Sequence, residues 1–312
     1  MSESSQVARE LEARPPCSRA WFRIAGPDPM VPGPVGVYRD GEWHDLAPLL
    51  GPAAFDSAGL LASGQLSGRG LEALAARLGA ETRLAERPRF GLPVPHPRKI
   101  LCIAKNYAAH AKEMGGEAPK EPRWFAKLSE ALLPDGDDVP LPRGLPEELD
   151  RVDYEGELCL VIGGTGRDVA EADAAQLIAG ATLLNDVTAR LMQKADRGEG
   201  YPWLRAKSFD GFAPVGPWVV PFEDLFGGEI PADATPDLKL ELRVNGETRQ
   251  SSRSSMTIHS VARLISFLSQ HHTLRPGDLI ATGTPEGIGP LASGDRVELE
   301  IERIGTLRHG VR

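Results

Sequence analysis

The 312-residue chain carries 35 basic and 44 acidic side chains, a formal net charge of −9, and 41% hydrophobic residues. That balance, with no local basic cluster to break it, excludes a general nucleic-acid binder, and the length supports a large core, as one big domain or a major domain plus a small one. The 34 glycines and 27 prolines lie among apolar segments, so they point to many turns between short strands.

In chain order, residues 1–20 are polar, lack the apolar core of a secretory signal, and are expected to be a flexible lead-in. A small N-terminal domain is expected over 21–97. It opens with strands at 21–24 and 35–38, linked toward Trp43 by the turn-like Arg39-Asp40-Gly41-Glu42. Leu71, Leu74, Ala75 and Leu78 share one helical face, which predicts a helix over 71–78. Pro93-Val94-Pro95-His96-Pro97 is stiff and marks a boundary.

The larger unit, 98–312, begins with a buried strand at 99–104 that leads into a short helix at 106–114 and a second strand at 124–127. Asp135-Gly136-Asp137-Asp138 lacks the residue order of a calcium loop and reads as a solvated turn. A helix is expected over 170–178 and a strand over 180–187. Asn245-Gly246 is the strongest hairpin signal in the chain. Val261, Leu264, Ile265 and Leu268 share a helical face within 260–270, and late strands fall at 278–282 and 296–301. Strands outnumber helices, so the class is α+β with a largely β core. Cys17, Cys102 and Cys159 have no metal-ligand spacing, and Cys102 and Cys159, set in apolar runs, are expected as buried thiols. No stretch approaches the length of a membrane span, so a cytoplasmic protein without a membrane partner is expected.

The chemistry centres on Asp153-Tyr154-Glu155-Gly156-Glu157, which runs into the apolar 158–162. Read as one strand, it sends Asp153, Glu155 and Glu157 to the same side. Carboxylates crowded at the edge of a core repel and lose solvation unless a cation joins them, and a hard divalent metal takes several at once. A solvated acidic edge is the plainer alternative. Asp186 emerges from an apolar strand about thirty residues on, where a turn or helix cap is the ordinary reading. Lys207 lies in an aromatic, glycine-containing stretch and could pair with these acids or hold a substrate carboxylate. His110 and Glu113, three apart on a helix, can form a pair that activates water, or an ordinary solvated face. The loop 283–289 could offer backbone N–H groups to an anion, but it lacks a phosphate-loop lysine and reads as a turn; Gly163-Gly164-Thr165-Gly166 likewise fails the dinucleotide fingerprint.

Asn106-Tyr107 with His110 and Glu113, Asp153 to Leu158, Asn185-Asp186-Val187-Thr188-Ala189-Arg190, Lys207-Ser208-Phe209-Asp210, Val244-Asn245-Gly246-Glu247 and Thr282-Gly283-Thr284-Pro285-Glu286-Gly287 together resemble the fumarylacetoacetate hydrolase family over about residues 98–312. The resemblance implies a mixed β-roll fold and Mg²⁺ or Mn²⁺ held by Glu155, Glu157 and Asp186. It implies that Lys207 polarises the substrate, that His110 and Glu113 activate water on a lid, and that Arg190, Gln193, Gly283 and Thr284 line an oxo-acid pocket. Lys105 stands where many members have Gly or Arg. The implied activity is carbon–carbon bond hydrolysis of a 2,4-dioxo acid through an enolate, in a homodimer acting on a small molecule. The alternatives are a decarboxylase or tautomerase of oxaloacetate-like acids, a hydrolase or dehydratase of sugar-derived oxo acids, and a non-catalytic metal-stabilised binding protein.

Overall fold

The structure, a computed structural model, describes residues 15–26, 31–115 and 117–312. Of the lead-in expected over 1–20, residues 1–14 lie outside the described residues, and the first strand starts before it ends. The main elements are β1 (Arg19–Ile24), β2 (Val35–Arg39), β3 (Glu42–Asp45), α1 (Gly68–Ala75), β4 (Ile100–Ala104), α2 (Ala108–Glu113), β5 (Arg123–Lys127), β6 (Val152–Tyr154), β7 (Gly156–Ile162) and β8 (Ile178–Asn185). They continue with α3 (Arg190–Gly198), α4 (Leu204–Lys207), β9 (Ala213–Pro221), β10 (Lys239–Val244), β11 (Glu247–Arg253), α5 (Val261–His271), β12 (Leu279–Ala281), β13 (Arg296–Ile301) and β14 (Gly305–Val311).

Among the described residues the large sheet runs β3-β2-β1-β9-β8-β7-β12-β4-β5, all neighbours antiparallel except β12 with β4. β1 comes from the segment expected to form the small front unit, yet it pairs with β9 in the register Trp21↔Val219 and Phe22↔Trp218. An aromatic cluster fills the same junction. Phe22 meets Trp43 and Phe90 edge-on at 5.1 and 5.4 Å, and Phe90 meets Trp218 at 5.5 Å. Such edge-to-face pairs add to the burial of large apolar surfaces.

A second sheet, β11-β10-β13-β14, extends through Asp138–Val139 and packs over the start of β7. Gly156 shows how close the approach is. A Cβ there would stand 2.8 Å from Leu299 Cδ1 and 3.1 Å from Leu242 Cδ1, so a side chain between Glu155 and Glu157 would have to displace the ends of two core leucines. Both tight turns read in the sequence have the left-handed backbone their residues favour, with φ of 48° and 95° at Asp40 and Gly41, and 53° and 81° at Asn245 and Gly246.

Three expectations shift. The stretch 153–162 is not one strand. β6 pairs with Thr188–Ala189 and Gly289–Pro290 in a small sheet of its own, and the chain passes at Glu155 into the large sheet. The Glu155 N–H leaves the ladder to donate to Asn185 Oδ1 at 2.8 Å. The helix expected over 71–78 starts three residues earlier, where Ser67 Oγ accepts from the Gly70 N–H, and ends at Ala75. The helix expected over 170–178 is a 3₁₀ helix, Glu171–Leu177. α5 follows its apolar stripe, with Val261, Leu264, Ile265 and Leu268 buried and Ser260 Oγ capping the Arg263 N–H. Cys102 and Cys159 are buried free thiols.

Candidate active site

Strand register brings the acids together. In the antiparallel β7–β8 pair Gly156 stands opposite Asn185, so Glu155 and Asp186 flank the same end of the ladder, and the Asp186 N–H donates to the Glu155 carbonyl at 2.8 Å. Glu157, two residues into β7's side of the ladder, projects toward them. One oxygen from each of Glu155, Glu157 and Asp186 lies within 4.8 Å of the other two, and all three residues are buried.

Buried cations frame this cluster. Lys207, the last residue of α4, donates to Glu155 Oε2 at 2.9 Å and to Asp186 Oδ2 at 2.6 Å, with its ammonium 4.6 Å above the Phe125 ring. Arg190, the first residue of α3, donates to Asp153 Oδ2 at 2.8 Å, to Gln193 Oε1 at 2.7 Å and to Glu155 Oε1. Asp153 therefore stays out of the three-carboxylate cluster and holds the arginine behind it. Lys127, at the end of β5, donates to Asp186 Oδ1 at 2.8 Å and to the Val187 carbonyl at 3.1 Å.

On α2, His110 Nδ1 lies 3.0 Å from Glu113 Oε2. The loop after β12 supports both acidic groups of the site through its backbone. The Gly283 N–H donates to Glu157 Oε2 at 2.7 Å, and the Gly287 N–H donates to Glu113 Oε1 at 3.1 Å. Both glycines have positive φ, 104° and 93°, and a Cβ on Gly287 would lie 2.2 Å from the Arg249 carbonyl oxygen. This loop was read as a plain turn; two of its N–H groups instead bind carboxylates.

A cavity of about 210 Å³ opens over these groups, lined by His110, Glu155, Glu157, Asp186, Arg190, Gln193, Lys207 and Thr284 together with Phe125, Trp203 and Met114. Gly283 stands one step back, acting through Glu157. Burial would push the Glu155 carboxyl up, but Lys207 and Arg190 outweigh it and hold that group well below the usual carboxylate range. Burial also opposes charge on Lys207, and Asp186 with Glu155 reverse this and raise its ammonium. Glu157 is different. Burial, then Asp186 and Glu155, push its carboxyl well above the ordinary value, and the Gly283 N–H and Lys207 offset only part of this.

The donor set suits a divalent metal. Three carboxylates with no thiolate or imidazole are the ligands of a hard, oxygen-loving ion. Four buried acids, Asp153, Glu155, Glu157 and Asp186, face three buried cations, Lys127, Arg190 and Lys207. Asp153 has the Arg151 guanidinium as a further partner, at 2.8 Å, and Glu157 is the acid of the four with no cation in hydrogen-bond reach.

Two residues of the site were not singled out from the sequence. Lys127 read only as the end of a strand. Gln250, on β11, crosses from the second sheet: its Oε1 accepts from the Gly156 N–H at 2.9 Å, and its Nε2 donates to Thr284 Oγ1 at 2.8 Å and to the Pro285 carbonyl at 2.9 Å. Its position after the Asn245-Gly246 hairpin was the one available signal.

Several known proteins are similar to this chain. The 2,4-didehydro-3-deoxy-L-rhamnonate hydrolase of Sphingomonas sp. (strain SKA58) is 40% identical over 253 residues, 77% of this chain and 84% of that protein. The mitochondrial oxaloacetate tautomerase FAHD2A of Bos taurus is 38% identical over 243 residues, 74% of this chain and 73% of that protein. The crystal structure of fumarylpyruvate hydrolase from Pseudomonas aeruginosa, in complex with Mn²⁺ and pyruvate, superposes with a TM-score of 0.62 at 34% identity, covering 73% of this chain and 93% of that one. Residues 99–312 match the family described as fumarylacetoacetate (FAA) hydrolase, C-terminal, and the chain belongs to the fumarylacetoacetate hydrolase family.

Proposed function

We propose that this chain is a metal-dependent hydrolase that cleaves a carbon–carbon bond in a 2,4-dioxo acid of the acylpyruvate kind. The observation that carries the reading is that three buried carboxylates, a buried lysine and a histidine–glutamate pair line one cavity. Glu155, Glu157 and Asp186 would hold Mg²⁺ or Mn²⁺, which when bound would act as a Lewis acid and stabilise negative charge on the substrate.

The chain's own groups supply the remaining chemistry. With Nδ1–H donated to Glu113, the other ring nitrogen of His110 is the proton acceptor, and the Gly287 N–H fixes Glu113 in turn. His110 takes a proton from water as its oxygen attacks the 4-carbonyl carbon. Collapse breaks the C3–C4 bond, the acyl part leaves as a carboxylic acid, and the electron pair passes to C3 as the enolate of pyruvate. The Lys207 ammonium, fixed by two carboxylates before substrate arrives, stabilises the enolate oxygen, and protonated His110 returns its proton to C3.

Similarity to an oxaloacetate tautomerase supports a second reading, in which the enolate chemistry is kept and water attack omitted. Purified protein given Mn²⁺ with acetylpyruvate or with oxaloacetate separates the two by enol absorbance, pyruvate and CO₂. Pyruvate and acetate from acetylpyruvate, with a loss of about 10²-fold or more in His110→Ala but retained Mn²⁺ binding, is the expected result. Enol–keto exchange of oxaloacetate with no cleavage of acetylpyruvate would decide for the rival. The working form is taken to be a cytoplasmic homodimer, which sedimentation of the full chain checks. Among the described residues no helix is long and apolar enough to cross a membrane.

A further inference from the structure

We propose that Gln250 is a positioning residue for the reaction: without lining the cavity itself, it turns the Thr284 hydroxyl into a hydrogen-bond donor aimed at the bound acid. This role deepens the function proposed above and rests on it for the kind of ligand that fills the cavity.

Strand β11 reads Glu-Thr-Arg-Gln-Ser-Ser-Arg, polar throughout, and Gln250 is the one of its seven residues that is buried. A polar side chain is stable inside only where its hydrogen bonds are met. The backbone makes a place for it. The ladder with β10 pairs Arg243 with Thr248 and Leu242 with Gln250, which leaves Arg249 as an extra, bulged residue. Regular pairing would set Arg249 opposite the fully buried Leu242. The bulge sets Gln250 there instead, on the inward face.

The amide of Gln250 can stand only one way round. Oε1 meets the Gly156 N–H at 2.9 Å and Nε2 meets the Pro285 carbonyl at 2.9 Å. A flipped amide would set donor against donor and acceptor against acceptor. The other Nε2 proton goes to Thr284 Oγ1 at 2.8 Å. An amide nitrogen accepts nothing, so the hydroxyl is the acceptor in this pair and its own proton is left for another partner. Among the described residues no acceptor lies in reach of that proton, and Thr284 lines the cavity. The hydroxyl is therefore preset to donate to an oxygen of a bound acid, and hydrogen bonds to charged groups are the stronger kind.

The same side chain joins the two halves of the site. Gly156 lies between Glu155 and Glu157 in the chain, and Thr284 follows Gly283, whose N–H holds Glu157. Gln250, bonded at once to Gly156 and to the loop at 284–285, fixes the hydroxyl relative to the acids before any ligand arrives.

The test is a double-mutant cycle on the full-length protein, titrated calorimetrically first with Mn²⁺ alone and then, Mn²⁺-loaded, with oxalate. Thr284→Val keeps the shape and removes the hydroxyl. It should weaken oxalate about tenfold, whereas Thr284→Ser should bind nearly as wild type does. Gln250→Met should weaken oxalate about fivefold with Mn²⁺ affinity retained, and should add nothing in the Thr284→Val background. A glutamine that only held the fold together would weaken oxalate by the same factor in both backgrounds, and that result overturns the role. Oxalate binding undiminished in Thr284→Val overturns it as well, without any Gln250 variant having to fold. Loss of Mn²⁺ affinity in Gln250→Met overturns it in favour of an action through Gly156 on the acids. If Mn²⁺-loaded wild type binds no oxalate, the role falls together with the reading beneath it. If the cycle behaves as expected while acylpyruvates are not cleaved, the role stands and the hydrolase reading falls.

Discussion

Lys127 and Asp186, 59 residues apart, form an ion pair in which both side chains are essentially inaccessible, with Nζ 2.8 Å from Oδ1. The other oxygen of the same carboxylate accepts from Lys207. Asp186 is thus clamped by lysines from two separate elements, which fix its orientation. Removing Lys127 would leave the buried Asp186 with Lys207 alone, a cation it shares with Glu155, and an under-compensated buried acid is more damaging than the pair is stabilising. Lys127→Met, similar in volume, should cost about 3 kcal/mol of stability in metal-free protein, read as a lowered urea midpoint at unchanged slope. A midpoint equal to wild type would mean the pair contributes nothing.

Glu157 crowds two other carboxylates without a cation of its own. Glu157→Gln keeps the shape and the acceptor for the Gly283 N–H and removes the repulsion, so metal-free protein should be as stable as wild type or more so. The same change removes a ligand. At Mn²⁺ a hundredfold above its dissociation constant, wild type should gain about 3 kcal/mol, and the variant should gain almost none. Melting curves across a Mn²⁺ series check both halves. Equal Mn²⁺ stabilisation of the two proteins would remove Glu157 from the ligand set.

Gly156 separates Glu155, at the junction of β6 and β7, from Glu157, inside β7, beneath the second sheet. Gly156→Ala places a methyl 2.8 Å from Leu299 Cδ1. Overpacking of this kind costs about 1–3 kcal/mol, and it should be felt at the acids on either side. Expected is a lower melting temperature together with weaker Mn²⁺ binding. A stability loss with unaltered Mn²⁺ affinity would show that the strain is absorbed by Leu299 and Leu242.

His309 is buried on β14, with Nδ1 3.0 Å from the Gly310 carbonyl and Nε2 2.8 Å from Asn185 Nδ2. The carbonyl requires a proton on Nδ1, so Nε2 accepts from the asparagine, and a second proton would set donor against donor. Burial likewise lowers its pKa from 6.5 to about 4. The unfolded chain therefore binds the extra proton more readily, and this contribution is fully present above pH 6.5 and is lost as pH falls toward 4. The loss reaches about 3 kcal/mol at most. His309→Gln should flatten the stability profile between those two values, measured by denaturant titration at several pH values. An unchanged slope would assign the acid sensitivity to other groups.

Glu155 and Glu157 stood out as acids set against an apolar run, whereas Asp186, Lys207 and the His110–Glu113 pair each had an ordinary local reading and were joined to them only by the resemblance of six motifs in order. Lys127 was not legible because a buried lysine and a surface lysine look alike in one dimension. Its partner lies just past the end of β8, four places from β5 in the sheet. Gln250 was hidden for a similar reason, since it serves the site from another sheet altogether.

By itself the sequence determined the strand-rich class, the tight turns at Asp40-Gly41 and Asn245-Gly246, the apolar stripe of α5 and the acidic row that runs into the apolar 158–162. These depend on backbone preference and on alternation along a few residues, which are local properties. Only the tertiary structure decided that the strand breaks at Glu155, that β1 completes the sheet beside β9, and that Lys127, Arg190 and Lys207 surround the acids while Glu157 is left without a cation. Those outcomes depend on which strand ends meet in space. Register and burial fix that, and both are set by the whole chain acting at once.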